Sequence, residues 1–293
     1  MNNFTIILPI YNDWHSLGVL LDQIKGSIRK KKAIIKLFLI NDGSTEKKKL
    51  KFDRKFYRGM EILNLKKNIG SQKAIATGLK YLNKNKKKYQ NNFIIMDSDG
   101  EDDPKKINDI IKIVEKKNNT DLITLNRTIR KESFFFSILY EFHLFITFLT
   151  TFKYIRFGNF TYLNKKSLQK ISKEKDLWLA YSATVRKFIS KNHTIIANRK
   201  KRISGKSKMS YLNLIRHSIN IQNVFRKNVL IAHIFYSSIM VIFSFIGLPI
   251  EYVFLIINFF VLHLLFIVLF SQKKVNGITF NTCLNNIKSI KKL

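Results

Sequence analysis

The stretch that decides the fold is Phe93-Ile94-Ile95-Met96-Asp97-Ser98-Asp99-Gly100-Glu101-Asp102-Asp103-Pro104, where an apolar run ends in a cluster of carboxylates. The apolar part is typical of a short buried strand. Asp97 and Asp99 stand two residues apart, so both carboxylates can point to one side just past the strand. Hard oxygen ligands gathered in this way suit Mg²⁺ or Mn²⁺ that also holds phosphates. The alternative is a solvated acidic turn that caps a helix starting near Pro104, because helix N-termini favour acidic side chains.

The overall charge makes an acidic cluster unusual in this chain. Its 293 residues include 53 Lys and Arg against 19 Asp and Glu, which gives a formal net charge of +34. This surplus predicts an anionic partner, such as nucleic acid, an anionic membrane surface or a phosphorylated substrate. We expect no nucleic-acid partner, because the aromatic residues concentrate near long apolar runs instead of alternating with basic residues on one platform. The single cysteine, Cys283, excludes an internal disulfide and fits a reducing compartment.

Predicted strands and helices alternate on both sides of the acidic cluster, which indicates an α/β fold with a mostly parallel sheet. Ligands bind such sheets beyond the carboxyl ends of the strands. Three polar segments follow predicted strands, and we expect them to converge on one cleft: Tyr11-Asn12-Asp13, Asn41-Asp42-Gly43 and Asp97-Ser98-Asp99. The predicted strands are Phe4–Leu8, Ile34–Ile40, Glu61–Leu65, Phe93–Met96 and Asp121–Leu125, and the predicted helices are Trp14–Ile28, Ser71–Leu82 and Ile107–Glu115.

Two long apolar runs occupy the C-terminal part of the chain. Residues 229–247 and 252–270 contain no Lys, Arg, Asp or Glu. Each is long enough to cross a hydrocarbon core of ~30 Å as a helix. Basic pairs flank them at 226–227 and 273–274. The positive-inside rule therefore predicts a multi-pass protein of the cytoplasmic (inner) membrane, in which a transmembrane hairpin leaves the catalytic domain and both termini in the cytoplasm.

A third apolar stretch, Phe134 to Phe152, differs from these two because it contains Glu141 and His143. Aromatic residues mixed with polar ones between basic ends favour a helix that lies in the membrane interface. The alternative is a third membrane span, in which Glu141 at mid-segment would cost a few kcal/mol.

Short motifs follow one another along residues 4–225. They are Leu8-Pro9-Ile10-Tyr11-Asn12-Asp13, Ile40-Asn41-Asp42-Gly43-Ser44-Thr45, Asn68-Ile69-Gly70, Asp97 to Pro104, the cluster Arg127, Arg130 and Ser133, Gly158-Asn159-Phe160, and Arg202-x-x-Gly205-x-Ser207-Lys208. This ordered set resembles the family 2 glycosyltransferases with a GT-A fold, a Rossmann-like domain. In particular, it is similar to the polyprenol-phosphate glycosyltransferases, which include the dolichol-phosphate mannose synthases.

The resemblance implies a role for each matched position. The residues that would hold the nucleotide of an activated sugar are Pro9, Tyr11, Asp13, Asp42, Gly70 and Asp97. Those that would bind a divalent metal, Mg²⁺ or Mn²⁺, are Asp97, Asp99 and Glu101, where Glu101 replaces the Gln that is common in the family. Those that would bind the acceptor phosphate are Arg127, Arg130 and Ser133, whose alternative role is to anchor lipid headgroups. The catalytic residues would be Asp99, Arg202 and Lys208.

These expectations combine into one predicted enzyme, an inverting hexosyltransferase that moves a sugar from a UDP- or GDP-linked donor to a polyprenyl phosphate, of undecaprenyl or dolichyl type. A lipid phosphate is already ionised near neutral pH and needs no strong base, while Arg202 and Lys208 could stabilise the departing diphosphate. The alternative enzyme acts on a saccharide hydroxyl in surface glycan synthesis and needs a base, Asp102 or Asp103. Two further alternatives remain. Residues 199–208 could be a disordered linker, and, independently, the protein could be a catalytically inactive relative that serves as a scaffold. Homo-oligomerisation is left open.

The predicted domains follow the same division. They are a GT-A nucleotide-sugar-binding core at 1–130, interfacial helices with an acceptor region that completes the catalytic domain at 131–225, two transmembrane helices within 226–274, and a basic cytoplasmic tail at 275–293.

Overall fold

The computed structural model describes most of the chain, namely residues 3–28, 33–46, 50–89, 92–117, 120–127, 134–205, 210–271 and 273–293. Contacts divide the chain into two units. The first, here the sheet unit, comprises Met1–Lys131, Arg156–Lys208 and Lys273–Leu293, and the second, the helical unit, comprises Glu132–Ile155 and Met209–Gln272.

The sheet unit contains one eight-stranded sheet within the described residues. Its strands are β1 (Asn3–Ile10), β2 (Ile34–Asn41), β3 (Tyr57–Leu65), β4 (Asn92–Ile95), β5 (Leu122–Arg127), β6 (Phe157–Leu163), β7 (Asn192–Ala197) and β8 (Ile287–Lys292). Their order across the sheet is β7-β5-β6-β4-β1-β2-β3-β8. β1 pairs in parallel with β2 and β4, as β2 does with β3 and β5 with β7. β6 and β8 run antiparallel to their neighbours.

Helices of both units complete the described fold. They are α1 (Trp14–Ile28), α2 (Ser71–Lys84), α3 (Lys106–Lys116), α4 (Phe134–Thr151), α5 (Lys165–Ile171), α6 (Tyr181–Phe188), α7 (Tyr211–Val224), α8 (Arg226–Phe245) and α9 (Ile250–Phe270). All five strands predicted from the sequence are present, and so are the three helices predicted between them. α1 has the predicted bounds. β6, β7 and β8 were not predicted.

The centre of the sheet is apolar on both faces because helices cover it from both sides. Every residue of β1 from Phe4 to Ile10 is buried. On α1 the buried residues recur at helical spacing and join the same core as β1: Leu17, Leu20, Leu21 and Ile24. Full burial of such a side chain contributes about 1.5–3 kcal/mol. This core fixes the carboxyl ends of β1, β2 and β4 side by side, where the polar segments begin.

The helical unit exposes an unusual amount of apolar surface. α8 and α9 are long and apolar enough to cross a membrane, with mean hydropathy of 1.8 and 2.9. In the most apolar 18-residue stretch of each helix, only 17% and 11% of the residues are buried. A core helix of a soluble protein would be mostly buried. Inside the unit, polar side chains pair with each other or with the backbone: the Tyr236 hydroxyl donates to the Leu149 carbonyl at 3.0 Å, and His233 lies 2.8 Å from His263.

The connectivity of α4 excludes the third span that was left open above. α4 follows β5 and precedes β6, and these two strands pair directly in one sheet. A single crossing by α4 would place β5 and β6 on opposite sides of the membrane, where they could not pair.

The segment predicted as a basic tail contributes to the sheet. β8 pairs antiparallel with β3, with Ile290 opposite Leu63. Before β8, the Lys80 ammonium donates to the Phe280 carbonyl at 2.7 Å and lies 4.3 Å from the Phe280 ring centroid. Only Ile287 and Ile290 interrupt the polar residues of β8, which is why its sequence resembled a solvated tail.

Deletion of residues 287–293 is expected to lower the midpoint of thermal unfolding by roughly 5 °C or more, because β3 loses a row of backbone hydrogen bonds and becomes the edge of the sheet. Thermal unfolding of the full and shortened chains measures this. The matched control, Lys288→Ala with Lys291→Ala, removes exposed charges but keeps the strand and should change the midpoint little. An unchanged midpoint in the deletion would show that β8 does not stabilise the sheet.

Candidate active site

The polar segments at the carboxyl ends of β1, β2 and β4 do converge. The Asp42 amide donates to the Ile10 carbonyl at 2.8 Å, which ties the end of β2 to that of β1. The Ser98 hydroxyl donates to the Pro9 carbonyl at 2.8 Å, which ties the acidic segment to the same point. The carboxyl edge of the sheet is therefore one continuous polar surface.

Arg202 joins two of these segments through its guanidinium. One nitrogen, Nη2, donates to both carboxylate oxygens of Asp13 at 2.8 Å, and Nη1 donates to Oδ2 of Asp99 at 3.2 Å. The backbone amide of Ile203 donates to the Asp99 carbonyl at 3.0 Å. Hydrogen bonds between a guanidinium and a carboxylate are charge-assisted and strong, so Asp13 and Asp99 are both held by one cation.

The rest of the described basic loop, residues 199–205, lies along the acidic segment. Arg199 forms an ion pair with Glu101, and the Lys200 amide donates to the Glu101 carbonyl at 2.8 Å. The Lys200 ammonium lies 2.8 Å from Asp103. In this region the loop is ordered by contacts with the acidic segment, which is not the behaviour of a disordered linker.

Gly100 permits this close approach. Its φ of +80° lies in the left-handed region, and a Cβ there would overlap the Ile203 side chain. Only glycine satisfies both conditions without strain.

Asp99 is the electrostatic centre of the cluster. Burial raises the pKa of Asp99, the nearby carboxylates of Asp97, Glu101 and Asp102 add to this effect, and together they bring the pKa to about 7. Burial and neighbouring negative charges disfavour the ionised form of this carboxyl group, and a cation that approaches it stabilises that form. Arg202 supplies one such cation.

Asp42 anchors the turn that precedes α2. Its two carboxylate oxygens accept the backbone amides of Ile69 and Gly70, each at 2.9 Å. Burial raises the pKa of Asp42 to about 7, although these amides and Lys73 oppose that change. Lys73 is itself buried, and desolvation lowers its pKa to about 8. Sequence reasoning missed Lys73, whose only signal is its helical spacing with the apolar face of α2.

These values predict a pH dependence of stability. An aspartate in an unfolded chain has a pKa of ~3.9, and folding raises that of Asp42 to about 7. Between these pH values the folded state binds more protons than the unfolded one, so protonation of Asp42 contributes to the free energy of unfolding. This contribution is complete below about pH 4 and is lost as the pH rises through about 7, a change of roughly a few kcal/mol in total.

We expect Asp42→Asn to flatten the fall in unfolding midpoint between about pH 5 and about pH 8, because asparagine does not titrate. Thermal unfolding at both values measures it. Asp22→Asn, which removes an exposed carboxylate of α1, should retain the slope of the unmutated chain. Equal slopes in all three proteins would contradict the assignment to Asp42.

The other predicted site residues fall into three groups. Pro9 ends β1 with Ile10, Tyr11 follows directly, and Gly70 caps α2 with φ +87°. Arg127 is the last residue of β5, and only its backbone is described. Three predicted residues lie outside the described residues: Arg130, Ser133 and Lys208.

The acidic cluster fits a divalent cation only in part. Within the described residues, no three Asp, Glu, His or Cys side chains form a group that could hold a metal ion, so Asp97, Asp99 and Glu101 do not form the three-ligand set predicted above. Glu101 is instead paired with Arg199. Mg²⁺, however, is commonly bound by one or two carboxylates together with water and substrate phosphates. Asp97 is close enough to Asp99 to raise its pKa, so these two carboxylates could share one cation.

The family match agrees with this geometry. Residues 5–177, more than half of the chain, match the family described as Glycosyl transferase family 2. The chain belongs to glycosyl transferase family 2. It is thus a glycosyltransferase, and the predicted GT-A α/β domain with a mostly parallel sheet is confirmed. The match includes the ends of β1, β2 and β4 but stops before the 199–205 loop.

Known structures of low identity resemble this glycosyltransferase family 2 chain. Staphylococcus aureus TarS 1-349 in complex with UDP-GlcNAc is 13% identical, with a TM-score of 0.47, covering 94% of this chain and 75% of that one. Mannosyl-3-phosphoglycerate synthase from Rubrobacter xylanophilus is 10% identical, with a TM-score of 0.48 and coverages of 78% and 74%. For TarS 1-349 alone, the values are 12%, 0.41, 67% and 58%, so this chain spans less than two thirds of that one. No curated protein matches the chain.

Proposed function

We propose that this family 2 glycosyltransferase is an inverting hexosyltransferase that moves a sugar from a UDP- or GDP-linked donor to a polyprenyl phosphate at the cytoplasmic face of the membrane. The observation that carries the proposal is the Arg202 guanidinium held between Asp13 and Asp99 at the carboxyl edge of the sheet. Ligands of such sheets bind at that edge, and a diphosphate needs cationic groups there as its charge develops.

The donor would lie along the polar edge. Pro9, Tyr11, Asp13, Asp42 and Gly70 would surround its nucleotide, and Asp97 and Asp99 would face its diphosphate. Asp42 supports this arrangement because it holds the amides of Ile69 and Gly70 in place. A neighbouring structure, TarS, contains UDP-GlcNAc, and a nucleotide sugar of that type is the donor class we propose.

A divalent cation, Mg²⁺ or Mn²⁺, would be held by Asp97 and Asp99. When bound, it would act as a Lewis acid toward the diphosphate. Glu101 would contribute through Arg199, which it orients, instead of as a ligand. Arg202 would bind the departing diphosphate, and so would Lys208.

The proposed acceptor is a phosphate, whereas a hydroxyl acceptor would need a general base, for which the candidates are Asp102 and Asp103. The two candidates are both engaged: Asp102 is buried and accepts the Asp97 amide at 3.2 Å, and Asp103 accepts from Lys200 and from the Lys105 amide. An ionised phosphate needs no proton removed before it attacks. Arg127, Arg130 and Ser133 would orient it.

The chain connectivity supports a hairpin as the membrane anchor. β7 precedes α8 and α9, β8 follows them, and both strands belong to one sheet. The intervening chain must therefore cross a membrane an even number of times, which two helices satisfy. With the basic residues that flank the pair, the positive-inside rule supports our proposal that the sheet unit lies on the cytoplasmic side.

The test is incubation of the purified chain in detergent with radiolabelled UDP- and GDP-sugars, Mg²⁺ or Mn²⁺, and undecaprenyl or dolichyl phosphate. Label in an organic-extractable, mild-acid-labile lipid is the expected result. Loss of that label with a chelator would establish the need for a metal. Label that appears only when a saccharide acceptor is supplied would overturn the lipid-phosphate acceptor and favour transfer to a hydroxyl.

A further inference from the structure

A chain of side-chain amides ends on the acidic segment. The backbone amide of Tyr181, the first residue of α6, donates to Oε1 of Gln72 at 2.9 Å. Nε2 of Gln72 donates to Oδ1 of Asn159 at 2.9 Å. Nδ2 of Asn159 then donates to Oδ1 of Asp97 at 2.8 Å. Three separate elements, α6, α2 and β6, thus contribute to the position of one carboxylate.

The chemistry of the two ends fixes the direction of this chain. A backbone N–H can only donate, so it requires the oxygen of Gln72 and turns the nitrogen of Gln72 toward Asn159. An ionised carboxylate can only accept, so it requires the nitrogen of Asn159 and turns its oxygen toward Gln72. Both amides therefore have one orientation that satisfies every contact, and a change at either amide reaches Asp97.

The residues that form this chain of hydrogen-bonded amides are also largely shielded from water. Asn159 is 8% exposed and Tyr181 is fully buried, while Gln72 is partly buried. Hydrogen bonds in such an environment are stronger than in water, and a broken one leaves a buried polar group without compensation. The Asp97 carboxylate is thereby held in one rotamer before any ligand arrives.

We propose that Asn159 and Gln72 are positioning residues that set the Asp97 carboxylate for the donor diphosphate and its divalent cation. This inference rests on the proposed donor site. Neither residue acts on the sugar, and Gln72 does not contact Asp97 in the amide chain; it acts through Asn159. Loss of an outer partner of this kind typically lowers metal affinity or activity 10- to 100-fold.

Two charge-introducing variants test the chain at different distances. Asn159→Asp places an oxygen against the Asp97 carboxylate and removes the donor. Gln72→Glu still accepts from Tyr181 but presents an oxygen to Asn159, whose amide must then reverse and turn its own oxygen toward Asp97. The matched controls are Asn281→Asp and Gln23→Glu, which make the same changes at exposed positions of the sheet unit.

The experiment uses the full chain in detergent. Calorimetry measures the Kd of Mn²⁺ with UDP-glucose and with GDP-mannose, and kinetics measure KM for the donor and for undecaprenyl phosphate. We expect both variants to raise the donor Kd and KM about 10-fold or more, with KM for undecaprenyl phosphate and the unfolding midpoint little changed. The controls should behave as the unmutated chain does.

Several outcomes would overturn the inference. One is donor binding in both variants equal to that of the unmutated chain, which would leave the proposed function intact. Another is a fall in unfolding midpoint and a rise in both KM values together, which would make the amides merely structural. If the unmutated chain binds donor but does not glycosylate the lipid, the acceptor assignment fails while calorimetry still decides the inference. If it binds neither nucleotide sugar, both proposals fail.

Discussion

Asp99→Asn is expected to lower the rate of sugar transfer by at least about 100-fold, with little change in the unfolding midpoint. The substitution keeps the shape of the side chain and its contact with Arg202, but it removes the charge that would attract a cation to the donor diphosphate. Losing one well-placed electrostatic contact in a water-excluded site commonly costs 10²- to 10³-fold in rate. Initial rates with the donor panel and undecaprenyl phosphate, at saturating Mn²⁺, measure the effect.

The control for Asp99 is Asp109→Asn, because Asp109 is an exposed carboxylate on α3 paired with Lys106. It should retain the rate of the unmutated chain. Near-normal turnover in Asp99→Asn would contradict the metal assignment. It would favour the alternative in which the acidic segment only caps the following turn and binds no metal.

Arg202→Met should also lower the rate about 100-fold or more, because the departing diphosphate loses a cation. Arg202→Lys should recover only part of the activity. Lysine restores the charge, but it cannot donate to both oxygens of Asp13 and to Asp99 in the planar fork that the guanidinium makes. Rates of both variants, set beside those of the unmutated chain, separate charge from geometry.

Lys201→Met is the matched control for Arg202, since Lys201 is an exposed cation of the same loop. If Arg202→Met kept full activity and only the unfolding midpoint fell, Arg202 would serve to close the loop on the sheet and not to assist transfer. An equal loss in Lys201→Met would point to the total charge of the loop instead of one guanidinium.

The sequence predicted those parts of the fold that carry strong periodic signals. The apolar strands β1, β2 and β4, which precede the three polar segments, are central and buried, so their composition alone marks them. β8 was missed because an edge strand is solvated, and two isoleucines among lysines indicate a tail as readily as a strand. The convergence of the three polar segments was predicted because parallel strands share one carboxyl edge.

The partners of the site residues could not be predicted from the sequence. The sequence identified Glu101 as acidic, but nothing local indicated that Arg199, almost a hundred residues later, would neutralise it. Asn159 stood in a recognised motif without a role, and Gln72 looked like an ordinary helix residue. Such contacts depend on long-range pairing of strands and loops, which a one-dimensional pattern does not contain.

The place of β8 in the sheet has a consequence for how the chain is made. β3 is synthesised before α8 and α9, but its outer partner emerges only after both of them. While the ribosome completes the hairpin, β3 presents an unpaired edge, and the apolar helices present surface that associates readily with other chains. If α8 and α9 form the proposed membrane hairpin, they reach the lipid before the sheet is complete, and a chain released early would lack β8.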